Sequence, residues 1–132
     1  MTGRRPLILV IDDEPDILQA LTFLLEDEGF RVQASEKGEY AESLLARAGE
    51  LPDLIILDVL LSGRDGRIIC RDLKRHMATA HIPVVMISAH PNAEQSVKDV
   101  GADAFVAKPF AIDDILSTVA ALLAPRPEPR QS

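Results

Sequence analysis

Residues 7–13, LILVIDD, and residues 54–58, LIILD, share one build: a short apolar run that stops on aspartate. Two later stretches repeat it. VVMIS (84–88) stops on Ser88, and AFVAKP (104–109) stops on Lys108 and Pro109. Short apolar runs without alternation read as strands buried on both faces, the pattern of a parallel sheet covered by helices. In such a sheet all strands end at one edge, and open α/β sheets bind ligands there. Asp12, Asp13, Asp58, Ser88 and Lys108 are therefore expected in one crevice. Carboxylates packed together repel unless a cation neutralises them, and an all-oxygen set suits Mg²⁺. A hydroxyl and an ammonium on the opposite side suit a phosphoryl group. The set describes a site where an aspartate accepts phosphate with help from a metal.

Between the runs the period changes to that of helices. Pro15 suits a first helical turn. Ile17, Leu18, Leu21, Leu24 and Leu25 follow at helical spacing, and Gly29 stands where a left-handed C-cap would close the helix. Phe30–Ala34 reads as a second strand. A second helix follows, with Ala41, Leu44, Leu45 and Ala48 on its inner face. Pro52 precedes the LIIL strand. A loop from Ser62 to Gly66, with Asp65-Gly66 as a turn, leads into a third helix carrying Ile68, Ile69, Cys70 and Leu73. Pro83 precedes the fourth strand. A short fourth helix is expected from about Asn92 to Val100, ended by Gly101, and a fifth over 112–123. The result is five alternations of strand and helix.

The bulk numbers narrow the function. At 132 residues and 47% hydrophobic content, one self-sufficient core is expected. The net charge of −7 argues against a nucleic-acid-binding surface, though not against a basic partner. The single cysteine, Cys70, leaves no internal disulfide and fits a reducing compartment, hence the cytoplasm; it reads as a small buried hydrophobe. No apolar run approaches the roughly 20 residues that span a bilayer. Arg4-Arg5 is read as a basic lead into the first strand rather than an export signal. The tail, 125–132, is PRPEPRQS; its prolines suggest a linker or loose end after a domain at 6–124.

IDDEPDI, LIILDVLLSGRDG, VVMISAH and GADAFVAKPF, in this order and spacing, resemble the receiver domain of two-component response regulators. The resemblance covers roughly residues 6 to 124. It implies a flavodoxin-like, doubly wound, five-stranded parallel sheet in the order 2-1-3-4-5 with helices on both faces. It implies Asp58 as phosphoacceptor, and Asp13, Asp58 and the Leu60 carbonyl as Mg²⁺ ligands. Asp12 would complete the acidic pocket through a metal-bound water. Lys108 would contact phosphoryl oxygens. Ser88 would report the phosphate, and Phe105 would be the aromatic that follows that report. The resemblance also implies a cis Lys108-Pro109 peptide. The partners implied are a sensor histidine kinase or histidine phosphotransfer protein as donor and a downstream protein target, without direct nucleic-acid contact by this chain. Its chemistry would be limited to its own phosphorylation and dephosphorylation.

The chain departs from the family pattern in places. Ser62 stands where the family carries a proline, which suggests a less rigid loop. Lys108 follows Ser88 by a slightly short interval. The fifth helix lacks basic residues, which argues against the charge-paired dimer of winged-helix regulators.

Each residue alone has a plainer reading. The Asp12–Asp13–Glu14 run taken singly is a helix N-terminus favouring negative charge. Asp58 is a strand-end cap, Ser88 a solvated hydroxyl, Lys108 a surface lysine and Phe105 a core aromatic. Their registration is what overturns these readings. His76, His81 and His90 lack metal-ligand spacing, and His90 is placed to border the site. Two other functions compete. A haloacid-dehalogenase-like phosphohydrolase also uses a nucleophilic Asp and Mg²⁺, but it would carry a second Asp where Leu60 stands. A flavodoxin-like cofactor binder would need a Ser/Thr/Gly-rich phosphate loop, whereas DDEP would repel phosphate.

Overall fold

Leu7–Ile11 (β1) is buried at every position, as its unbroken apolar sequence requires. In the computed structural model, which describes residues 5–43, 50–90 and 92–124, β1 is the second strand of a five-stranded sheet. Pro15–Asp27 (α1) leads to Arg31–Ser35 (β2), and Glu39–Glu42 (α2) precedes Leu54–Asp58 (β3). Leu60–Leu61 (β4) and Arg64–Asp65 (β5) form a small antiparallel hairpin before Gly66–Arg75 (α3). Val84–Ser88 (β6), Ala93–Asp99 (α4), Ala104–Ala107 (β7) and Ile112–Leu123 (α5) complete the order. The main sheet runs β2-β1-β3-β6-β7, all neighbours parallel. Counted over its five strands, this is the expected order 2-1-3-4-5.

The two-faced burial is explicit. Leu9, Ile11, Ile55, Leu57, Val84 and Met86 face α3 and α4, packing with Ile69, Leu73 and Val97. Their chain neighbours Ile8, Val10, Leu54, Ile56, Val85 and Ile87 face α1 and α5, packing with Leu21, Leu25, Ile115 and Val119. Successive strand residues point to opposite faces, so two covered faces need apolar residues at every position. Each fully buried Leu or Ile contributes about 1.5–3 kcal/mol.

The helix ends follow their sequence signals. Gly29 closes α1 at φ +95 and Gly101 closes α4 at φ +90, the left-handed region where glycine carries no Cβ penalty. Asp65 caps α3 by accepting from the Arg67 N–H at 2.9 Å. The second strand lies one residue later than expected, over Arg31–Ser35. The loop after Asp58 contains the short β4–β5 hairpin, with Gly63 at φ +72 in its two-residue turn. Leu44, Leu45 and Ala48, Arg4, and the 125–132 tail lie outside the described residues.

Candidate functional site

The parallel register delivers the expected side chains to one edge. Asp12 follows β1, Asp58 ends β3, Ser88 ends β6, and Lys108 follows β7. Lys108 is locked there by its backbone, whose N–H donates to the Ser88 carbonyl at 2.8 Å. The Lys108-Pro109 peptide is cis, as the resemblance implied.

Lys108 is the hub. Its Nζ donates to Asp58 Oδ2 at 3.1 Å and to Glu14 Oε1 at 2.9 Å. It also lies 2.9 Å from Asp12 Oδ2, an ion pair outside directed hydrogen-bond geometry. Asp12 is fully buried and Asp58 nearly so. Asp12 Oδ1 accepts from the Glu14 N–H at 2.9 Å, and Asp58 Oδ1 accepts from the Leu60 N–H at 3.2 Å. Burial raises the Asp58 carboxyl to about 6, helped by the charge of Asp12 and opposed by Lys108. Burial lowers the affinity of Lys108 for its proton, but its contacts with the Asp12, Glu14 and Asp58 carboxylates outweigh that and hold its pKa above the ordinary lysine value.

Oxygens of Asp12, Glu14 and Asp58 lie within 4.8 Å of one another. Three carboxylates share one ammonium, two of them (Asp12 and Asp58) buried and Glu14 exposed, and a divalent cation would remove the remaining repulsion. The donors are all oxygen, the set preferred by Mg²⁺. The chemistry of the residues fits such an ion.

Glu14 joins the acidic residues expected in the pocket. Asp13 lines the same pocket, of about 280 Å³, with Glu14, Asp58, Leu60, Ser88, Ala89, His90 and Lys108. Its carboxylate accepts from Ser62 Oγ at 2.8 Å rather than joining the tight cluster. Glu14 enters that cluster although its residue type and position read only as a helix-end charge. The consecutive acids at a strand end were the signal, and nothing in residue type says which of them turns inward. Ser88 is buried beside the pocket, its hydroxyl accepting from the His90 N–H at 2.9 Å. Phe105 is partly buried, packed against the cluster on the α3–α4 face.

Residues 8–120 match the family described as the response regulator receiver domain. The regulator RpaA of Synechocystis, named a DNA-binding dual master transcriptional regulator, is 38% identical over 89% of this chain and 49% of its own length. The phosphate regulon transcriptional regulatory protein PhoB of Rhizobium meliloti is 37% identical over 89% of this chain and 52% of its own. The chain thus spans about half the length of these relatives. A response regulator structure from Chloroflexus aurantiacus superposes with a TM-score of 0.84 at 30% identity, covering 91% of this chain and 98% of that one. The receiver domain of a histidine kinase from Syntrophus aciditrophicus does so at 0.81 and 31%, covering 96% and 98%. The phosphohydrolase alternative finds no support in these matches.

The expectation about nucleic acid is corrected by the same relatives. A net charge of −7 describes the residues of one domain and says nothing of a separate domain's surface, and RpaA joins this type of chain to DNA binding within one protein. Among the described residues no helix is long and apolar enough to cross a membrane. With the family model matching across residues 8–120, and with the sheet order and strand-end site already in place, the chain belongs to the receiver domains of two-component response regulators.

Proposed function

We propose that Asp58 is the phosphoacceptor, receiving a phosphoryl group from a phosphohistidine on a sensor kinase or phosphotransfer protein. The observation that carries this is the buried Asp58 carboxylate at the pocket wall, held 3.1 Å from Lys108 beside Asp12. An Asp58 oxygen attacks phosphorus in line. The new P–O bond forms as the P–N bond to the donor imidazole breaks, and the imidazole keeps the electron pair. Lys108 then turns its positive charge from the free carboxylate to the phosphoryl oxygens. Phosphoryl transfer depends on such positioning and charge balance more than on proton chemistry. Asp12, Asp13, Asp58 and the Leu60 carbonyl, with Glu14 added by its place in the cluster, would hold Mg²⁺, which supplies further positive charge to the phosphoryl oxygens when bound. Ser88 hydrogen-bonds the phosphoryl group, and Phe105 responds at the surface. The chain catalyses only its own phosphorylation and dephosphorylation.

The domain is 6–124 and the proline-bearing 125–132 a linker or tail. The cytoplasm is the compartment, in keeping with one unpaired, buried cysteine. Through the likeness to RpaA, DNA belongs among the whole protein's targets, alongside a downstream protein. The test is intact-mass measurement after treatment with a small acyl phosphate and Mg²⁺. One phosphoryl group should add to the parent chain and none to Asp58→Asn or to the parent in chelator. Full labelling of Asp58→Asn would remove Asp58 from the role.

A further inference from the structure

Asp12, Glu14 and Asp58 are all engaged by the Lys108 ammonium, and a cation entering the pocket has to displace that charge from them. Asp13 stands apart. It is held by a neutral donor, the Ser62 hydroxyl at 2.8 Å, reaching across 49 positions of sequence. Ser62 sits at the tip of the β4–β5 hairpin, whose pairing of Leu61 with Arg64 and the left-handed Gly63 fix where it lies. A carboxylate has about four acceptor sites on two oxygens, so Oδ2 can keep its bond to Ser62 while Oδ1 takes a metal. A neutral hydroxyl also adds no charge that would compete with the cation.

We propose that Ser62 is a positioning residue for the cation site: its hydroxyl holds the Asp13 carboxylate at the pocket wall, ready to bind a divalent ion before Lys108 has released the others. This rests on the phosphoacceptor reading of the pocket and adds to it a residue outside the strand-end set. Carboxylates that bind metals are themselves held by hydrogen bonds, and losing such an outer partner weakens affinity, typically tenfold or more. The Ser62 bond is exposed, so the effect here belongs at or below the low end of that range.

The experiment is calorimetric titration of the whole chain with Mg²⁺, comparing the parent with Ser62→Ala, Ser62→Thr, Asp13→Asn and the Ser62→Ala/Asp13→Asn pair. Ser62→Ala should weaken Mg²⁺ binding by roughly three- to tenfold. Ser62→Thr, which keeps a hydroxyl, should restore most of it. In the Asp13→Asn background, Ser62→Ala should have no further effect, because the two residues act as one unit. Unchanged or tighter binding by Ser62→Ala overturns the inference, as does a fully additive double variant. If these occur while the parent still binds Mg²⁺ and labels at Asp58, the phosphoacceptor reading stands and only the role of Ser62 falls. A parent that neither binds Mg²⁺ nor labels overturns both.

Discussion

Lys108 Nζ lies 3.1 Å from Asp58 Oδ2 although the two residues are 50 positions apart in the chain. The same nitrogen touches Asp12 and Glu14, so a single ammonium holds together carboxylates from two strand ends. Its side chain is only 11% exposed, which removes most solvent screening from the contact with Asp58.

Removing that ammonium should leave mutually repelling, partly buried carboxylates. Lys108→Met is expected to destabilise the ion-free protein by about 2–4 kcal/mol at pH 8, in line with the cost of breaking a buried pair from one side. Urea unfolding measures this. Saturating Mg²⁺ should recover about 2–3 kcal/mol through preferential binding to the folded state. A variant as stable as the parent in chelator would show that Lys108 does not offset the repulsion.

The raised carboxyl of Asp58 gives stability a definite pH dependence. Folding lifts its pKa from 3.8 to about 6, so the folded chain binds this proton more tightly than the unfolded chain does. Stability from this group is fully present below pH 3.8 and is lost as pH rises through about 6. Between pH 5 and pH 8 the ion-free parent should lose more stability than Asp58→Asn, by about 1–2 kcal/mol. Parallel stability curves for the two proteins over this interval would refute the assignment.

Gly66 and Gly63 separate two uses of glycine in the loop after Asp58. A Cβ on Gly66 would stand 2.0 Å from the Asp58 carbonyl oxygen, so α3 cannot start here on any larger residue without moving the Asp58 backbone. Gly66→Ala should cost more than about 2 kcal/mol and slow acyl-phosphate labelling. Gly63 has open space around it and only its φ of +72 to protect. Gly63→Ala should cost about 1–2 kcal/mol and leave the Asp58 amide resonance nearly in place. Comparable perturbation by both substitutions would contradict this division.

Arg67 joins the loop to α4. It forks onto Asp65 through Nε and Nη2 at 2.9 and 2.8 Å and reaches Ser96 Oγ with Nη1 at 3.0 Å. Its side chain is 34% exposed, so Arg67→Ala should cost under about 1 kcal/mol overall. The effect should instead be local, as faster hydrogen exchange of α4 amides relative to β6. Unaltered exchange in α4 would mean that the Ser96 contact does not restrain the helix.

Ser88 and Phe105 are tested together. Ser88→Ala should still be labelled at Asp58 but lose most of the NMR shift change near Phe105 when beryllofluoride stands in for the phosphoryl group. A ligand moves such an equilibrium only through contacts that differ between the two states. Equal shift changes in variant and parent would sever Ser88 from the surface.

The strands were readable because burial on both faces leaves apolar runs such as LILVI and LIIL that no neighbouring context disguises. Their termini then placed Asp12, Asp58, Ser88 and Lys108 together. What escaped depended on rotamers. Whether Glu14 or Asp13 turns toward Lys108 is set by the angle at which the chain enters α1, and the residue types carry no record of that. The β4–β5 hairpin is not legible because two-residue strands are too short for any period to show, so Ser62 to Gly66 reads only as a loop. The nucleic-acid expectation failed for another reason: the charge of one domain does not describe its neighbour.

The strand order has a consequence for the chain before it is finished folding. Asp12, Asp58, Ser88 and Lys108 each follow or end a different parallel strand, so the pocket is complete only when β3 has paired with β1 and β6 and β7 has paired with β6. Such non-local pairings form late, after the entropy of closing long loops has been met. On the proposed reading, a chain that has not yet paired β1, β3, β6 and β7 has no complete pocket, and labelling of Asp58 doubles as a report that these four strands have come together.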